Sequence, residues 1–298
     1  MTGVGRLLAA GILAEDVPLG PMTTYKAGGP ASLFAEVRDR GQLEALIASG
    51  VTRDHPVLVL GRGSNLVVAD SGFPGLVIKL TGEFSTTTID REVVDSGAAM
   101  PLPRLARLSV EAGLTGLEFF VGVPGSVGGA VRQNAGCFGT ETKDRLISAT
   151  IIDLATAETV SRDAVELDLT YRHSNVAATD LVISATFQGS PGDPERGKEL
   201  MREITRWRKE NQPGGTLNAG SVFKNPAGTT AGELIDQLGL KGTSVGDVRV
   251  SHKHANFFVA GPQATSADIR ELVRVVKDTV FERTGTMLEP EIQFVGFE

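Results

Sequence analysis

Apolar positions along the chain switch repeatedly between a period of two and a period near 3.6, and the switches outline interleaved strands and helices. Residues 32–37, Ser-Leu-Phe-Ala-Glu-Val, alternate well enough for a strand. The run Pro56-Val-Leu-Val-Leu60 is continuously apolar and reads as a strand buried on both faces. Further strands are expected over 75–80, 86–90, 92–95, 146–153, 181–187, 256–260 and 287–296. Helical spacing covers 1–13, 40–49 with Leu43, Leu46 and Ile47 on one face, and 103–113 with Leu105, Leu108 and Val110 among its apolar positions. Residues 199–210 form a charged helix that carries Trp207. In the helix over 230–238, Thr230 is the cap and Glu233, three residues on, completes a capping box. A long amphipathic helix spans 266–283, with Ser266 as its N-cap. Residues 188–197 hold Pro, Gly, Asp and Ser and read as a linker.

Composition narrows the class. Of 298 residues, 41% are hydrophobic and 22% charged, which is ordinary for a soluble enzyme. The net charge of −7 argues against a nucleic-acid surface, because phosphate neutralisation needs clustered Lys and Arg. The single cysteine, Cys137, fits a reducing cytosol and reads as a small buried hydrophobe. The start is a poor signal peptide, and no stretch is long and apolar enough for a membrane span. The four histidines lack metal-ligand spacing, so no metal is expected.

Two glycine loops change the picture. One is Gly61-Arg-Gly-Ser-Asn65, which follows the apolar run directly. The other is Gly122-Val-Pro-Gly-Ser-Val-Gly-Gly-Ala-Val-Arg-Gln-Asn-Ala-Gly136, which leaves Leu117-Glu-Phe-Phe-Val121. Glycine lets a backbone approach a ligand closely, and bared N–H groups cradle a pyrophosphate. In the second loop, Asn134 adds an amide for a ring edge or for the loop itself. A lone glycine loop is as often mere punctuation, but a pair of them shifts the balance. The first is not GxGxxG and no crossover helix follows, so a dinucleotide-binding Rossmann domain is a poor fit.

Five motifs occur in order: Gly61-x-Gly-Ser-Asn65, the Gly122–Ala130 segment with Asn134-Ala-Gly136, Tyr171-Arg-x-Ser174, Gly220-Ser-Val-Phe-Lys-Asn-Pro226, and Leu288-Glu-Pro-Glu291. Together they closely resemble the UDP-N-acetylenolpyruvoylglucosamine reductase family, over residues 23–296. The short spacing after Tyr171-Arg-His-Ser174 resembles the subtype that lacks an extra tyrosine-bearing loop. The resemblance implies an α+β protein with an FAD-binding fold of the vanillyl-alcohol oxidase type and a C-terminal α+β substrate-binding domain. The implied domains are 1–82 and 83–190 around the flavin and 198–298 over the substrate, the last strand being able to return to the FAD domain. The implied reaction is NADPH-dependent, FAD-mediated reduction of UDP-N-acetylglucosamine enolpyruvate to UDP-N-acetylmuramate, for peptidoglycan, in the cytoplasm, with a monomer favoured.

The resemblance also assigns residues. Arg172 would stabilise the enolate-like intermediate, since a guanidinium grips a carboxylate with two donors. Ser221 would donate the proton, with the Lys224 ammonium favouring the alkoxide left behind. Glu291, chosen over Glu289 by its spacing from the chain end, would join Arg172 at the intermediate. Gly61, Arg62, Gly63, Ser64 and Asn65 form one FAD cradle; Gly122, Pro124, Gly125, Ser126, Gly129 and Asn134 form the other. For the sugar nucleotide the candidates are Lys224, Asn225, His254 and Asn256, with Arg208 or Lys209 at the diphosphate. Each also has a plain structural reading: an ion pair for Arg172, a turn hydroxyl for Ser221, a solvated charge for either glutamate. Thr23 and Ala260 depart from the family pattern, which usually has Asn at both places. Two rival readings stay open: another FAD oxidoreductase of this fold acting on an alcohol or sugar, and a silent nucleotide-sugar binder.

Overall fold

A computed structural model describes residues 3–297. The ends of the expected first helix (Met1, Thr2) and of the expected third domain (Glu298) lie outside the described residues. The chain divides into two compact units. The first comprises the chain up to Glu15, Leu33–Arg62 and Gly75–Trp207; the second comprises Asp16–Ser32, Gly63–Pro74 and the chain from Arg208 onward.

The first unit is built on two sheets. One has the order Leu13–Pro18, Pro30–Val37, Phe73–Leu80, Val57–Val59. The other has the order Thr159–Asp163, Leu146–Asp153, Asp180–Gln188, Val93–Gly97, Thr87–Asp90, antiparallel throughout. The helices Arg40–Ala48 and Leu102–Glu111 bury Leu43, Leu46 and Ile47, and Leu102, Leu105 and Val110, in one core shared with Leu76, Ile78, Ile151 and Phe187. Each such fully buried side chain contributes roughly 1.5–3 kcal/mol over leaving it exposed.

The second unit has its own core. The helix Ser266–Thr284 buries Ile269, Leu272, Val273, Val276 and Val280 against Val248, Val250, Phe258 and Phe223. Tyr25 anchors the early segment in this core. The late strand Gln293–Val295 pairs in parallel with Leu66–Val68. Asp70 binds the start of the long helix, its carboxylate accepting from the N–H groups of Ser266 and Ala267, each at 3.0 Å. The mixture of largely antiparallel pairing, a few parallel pairs and packed helices is the α+β class that the motifs imply.

Several elements differ from the sequence pattern. The first helix is only Gly3–Ala9, because Gly11 turns the chain at φ +67° and a strand starts at Leu13. The Val57–Val59 strand is not buried on both faces: it is the sheet edge, and Val59 is exposed. The second glycine loop holds a helix, Val127–Gln133, between its glycines. The expected linker contains the strand Ser190–Pro191, paired with Leu114–Thr115, and the helix Pro194–Asn211 begins inside it. Thr265, not Ser266, is the N-cap of the long helix, in a capping box with Asp268. The terminal strand shrinks to Gln293–Val295, paired with Leu66–Val68, because the stretch before it, around Pro290, pairs instead with the segment around Phe223.

Candidate functional site

In the first unit the two glycine loops meet. A Cβ on Gly61 would lie 2.8 Å from Ser126 Oγ, so the two loops approach closely here and a larger residue at 61 would have to displace the Ser126 hydroxyl. Ser126 is buried and precedes the helix Val127–Gln133, while Gly129 and Pro124 are exposed. The loop is fixed by backbone bonds from Leu102 N–H to Gly125 O, from Val127 N–H to Met100 O and from Gly128 N–H to Ala98 O. Gly122 is buried at the end of the 3-10 turn Glu118–Gly122. Arg62 is exposed beside Gly61.

Asn134 ends the helix at φ +43° and is fully buried. Its Nδ2 donates to Glu141 Oε2 at 3.0 Å and to Thr170 O at 2.9 Å, and its Oδ1 accepts from Lys143 N–H at 2.9 Å. The amide therefore ties three chain segments together. Arg172 sits nearby at φ +55°, its Nη1 3.7 Å from Glu141 Oε1 and its guanidinium 4.9 Å from the centre of the Tyr171 ring. Glu141 carries no motif, and sequence reasoning missed it; its one signal is the cap-like spacing to Asp144, three residues on.

In the second unit, Gly63 turns at φ +62° against Met22 and Thr23, and its carbonyl accepts from Thr24 N–H. Ser64 and Asn65, both half-buried, follow. Asn65 Nδ2 donates to Glu291 O at 3.0 Å, and Asn65 O accepts from Gln293 N–H. The segment around Ser221 runs antiparallel to the one around Glu291: Phe223 pairs with Pro290, and Glu291 N–H donates to Val222 O. Asn65, Ser221 and Glu291 thus gather on neighbouring segments of one unit.

The two candidate glutamates have different surroundings. Glu289 is exposed and pairs with Lys224 Nζ at 2.7 Å. Glu291 is half-buried beside the Ser221 segment. The Lys224 charge is therefore shared with Glu289. Asn256 is buried and binds the Phe223 backbone twice, accepting from its N–H at 2.9 Å and donating to its carbonyl at 2.8 Å. Asn225 Oδ1 accepts from Ala231 N–H and so caps the helix Ala231–Gln237. His254 accepts from Asn256 N–H on Nδ1, and burial, together with the Lys241 charge, holds its imidazole below the usual value.

A cavity of about 620 Å³ opens in the same unit. Arg208, Lys209 and Lys253 line it, with Asn218 and Phe257. Lys253 Nζ donates to Lys209 O, and Arg208 Nε donates to Gln212 Oε1. Three cations on one cavity wall suit a diphosphate.

Comparison with known proteins gives two family matches. Residues 212–295 match the model described as "UDP-N-acetylenolpyruvoylglucosamine reductase, C-terminal domain", and residues 31–162 match "FAD binding domain". A UDP-N-acetylenolpyruvoylglucosamine reductase from Synechococcus sp. is 42% identical, with 100% of this chain and 98% of the relative covered. One from Parvibaculum lavamentivorans is 41% identical, covering 96% and 92%. The crystal structure of UDP-N-acetylenolpyruvylglucosamine reductase from Thermus caldophilus superposes with a TM-score of 0.82 at 38% identity, covering 94% of this chain and 98% of that one. The glucose dehydrogenase Phl p 4.0202, at 11% identity and a TM-score of 0.50 over 74% of this chain and 51% of its own, shares the fold alone.

Proposed function

Since the chain belongs to the UDP-N-acetylenolpyruvoylglucosamine reductase family, we propose that it reduces UDP-N-acetylglucosamine enolpyruvate to UDP-N-acetylmuramate, with NADPH as reductant, for peptidoglycan synthesis in the cytoplasm. The observation that carries the substrate class is the cavity with Arg208, Lys209 and Lys253 on its walls. A nucleotide-sugar diphosphate needs such a cluster, and an alcohol or sugar-lactone oxidase does not.

FAD fits the residues present. The two glycine loops approach within a Cβ's width at Gly61 and Ser126, and Gly63 supplies a tight turn against the Met22 and Thr23 backbone. Gly61 and Arg62 with Gly122, Pro124, Gly125, Ser126 and Gly129 in the first unit, and Gly63, Ser64 and Asn65 in the second, are the residues that would hold it. When bound, FAD supplies the hydride relay between the pyridine nucleotide and C3 of the enolpyruvyl group.

The chain's own residues handle the carboxylate and the proton. The Arg172 guanidinium would take the enolpyruvyl carboxylate and offset the negative charge that builds toward it. Ser221 Oγ would give its proton to C2. Lys224, three residues on and paired with Glu289, would lower the cost of the alkoxide left behind. Glu291, on the segment beside Ser221, would orient the intermediate. Asn134 and Asn256 bind backbone, which supports a positioning role for both.

The test is an anaerobic two-step experiment on the flavoprotein. NADPH should bleach the flavin band, and UDP-N-acetylglucosamine enolpyruvate should restore it. A band that stays bleached would move the assignment to another reductase or oxidase of the fold. With Ser221→Ala, bleaching should proceed at the normal rate, while recovery slows about 100-fold or more. Normal recovery in that variant would remove Ser221 from the mechanism.

A further inference from the structure

Arg172 and Asn134 share a partner that the mechanism above does not use. Glu141 closes the short strand Thr140–Glu141 and stands at the N-cap of the 3-10 turn Thr142–Asp144. Its N–H donates to Asp144 Oδ2 at 2.7 Å, and its side chain accepts in return from the Asp144 N–H. The carboxylate also reaches further. Oε2 accepts from Asn134 Nδ2 at 3.0 Å and lies 3.1 Å from Lys143 Nζ, while Oε1 faces Arg172 Nη1 at 3.7 Å. The Arg172 and Glu141 side chains are 19% and 22% exposed, so their attraction is screened less than on an open surface.

Arg172 sits where such holding matters. With Tyr171 it forms the tip of a two-residue turn, closed by reciprocal 3.2 Å backbone bonds between Thr170 and His173. A non-glycine residue at φ +55° is held there only by its surroundings. Asn134 Nδ2 clamps the base of the turn through Thr170 O and bridges to Glu141 with the same nitrogen. The closest approach of Glu141 to the guanidinium is 3.7 Å, looser than the bidentate hydrogen-bonded grip a substrate carboxylate would take.

We propose that Glu141 is a positioning residue: it aims the Arg172 guanidinium at the enolpyruvyl carboxylate. Asn134 fixes the spacing between the two. The proposal rests on the reading of Arg172 as the carboxylate clamp. The competing role is a cap for the 3-10 turn and nothing more.

Glu141→Gln separates the two roles. The glutamine keeps an oxygen for Asn134 but loses the charge that faces Arg172. In the flavoprotein, bleaching by NADPH and Tm should stay close to wild type. Flavin recovery on adding UDP-N-acetylglucosamine enolpyruvate should slow about 10- to 100-fold, the size expected of a misplaced reacting group. Glu141→Asp, which keeps the charge, should recover part of that loss. Arg172→Ala should slow recovery further, and adding Glu141→Gln to it should change the rate less than twofold, because a positioning residue has nothing left to aim. Binding of UDP-N-acetylmuramate to the oxidised protein, read from the flavin spectrum, should weaken in Glu141→Gln and Arg172→Ala alike. A lowered Tm with normal recovery would make Glu141 a cap only and overturn the proposal. So would multiplicative slowing in the double variant. Normal recovery in Arg172→Ala would instead remove the clamp reading itself, and the proposal with it, whatever Glu141→Gln did.

Discussion

Asn134 shows how much one side chain can organise. It is fully buried and makes three hydrogen bonds, to Glu141, Thr170 and Lys143. Truncation would remove these and leave three partners facing a void. Asn134→Ala should therefore cost about 3 kcal/mol, at about 1 kcal/mol for each bond lost. The shift of the urea midpoint measures it, and a loss under 1 kcal/mol would contradict the network. The sequence marks Asn134 as part of a glycine motif but leaves its amide a choice between a ligand edge and the loop. The fold brings Thr170 and Glu141 beside it, and both bind its amide. Glu141 itself is hidden for the same reason: its partners Asn134 and Arg172 are 7 and 31 residues away in sequence (141 − 134 and 172 − 141).

At the level of elements, local chemistry was legible and tertiary context was not. The capping box of Thr230 and Glu233 is in place, since cap and carboxylate need only each other. The cap of the long helix lies one residue before the expected one: Thr265 and Ser266 both carry hydroxyls, and only the backbone turn separates them. Thr265→Ala should destabilise by about 1 kcal/mol, read as a lowered urea midpoint; Ser266→Ala should not reproduce that loss through capping. The helix Val127–Gln133 escaped notice because Gly-Gly is a poor helix former and here follows the backbone pairing with Ala98 and Met100. The Val57–Val59 strand looked doubly buried because apolar runs do not reveal a sheet edge. The caps carry a pH signature too. Bonds from Thr230 N–H, its hydroxyl and Thr229 hold the Glu233 carboxyl below its ordinary value of 4.5. A lowered carboxylate stabilises fully above its unfolded value and loses that contribution as pH falls through the folded one. The stability gap between wild type and Glu233→Ala should therefore be full at pH 7 and close as pH drops below 4.5, in paired urea titrations.

For the molecule as a whole, the reading of order and class from five short motifs held because the motifs fall at turns and segment ends, where backbone chemistry is specific. What they could not convey is which distant segments share a core. FAD should act on the whole chain by mass action: at 100 times its Kd it adds about 2.7 kcal/mol to the folded state. That corresponds to a Tm rise of roughly 5 °C for a chain of this size. A thermal scan of the apoprotein with and without FAD measures it, and an unmoved Tm would count against the paired glycine cradle.

The second unit takes its parts from both ends of the chain: Leu66–Val68 pairs with Gln293–Val295, and Asp70 binds the start of the helix at Ser266. During synthesis, these early segments leave the ribosome long before their partners exist. The first unit is fully available once Trp207 has emerged, while the second waits for the strand Gln293–Val295. At about 5–20 residues per second the wait is roughly 5–18 s. Over that interval Leu66, Val67 and Val68 remain an unpaired apolar edge on the nascent chain, so a premature stop before Gln293 would release a chain with a finished first unit and an open, adhesive strand.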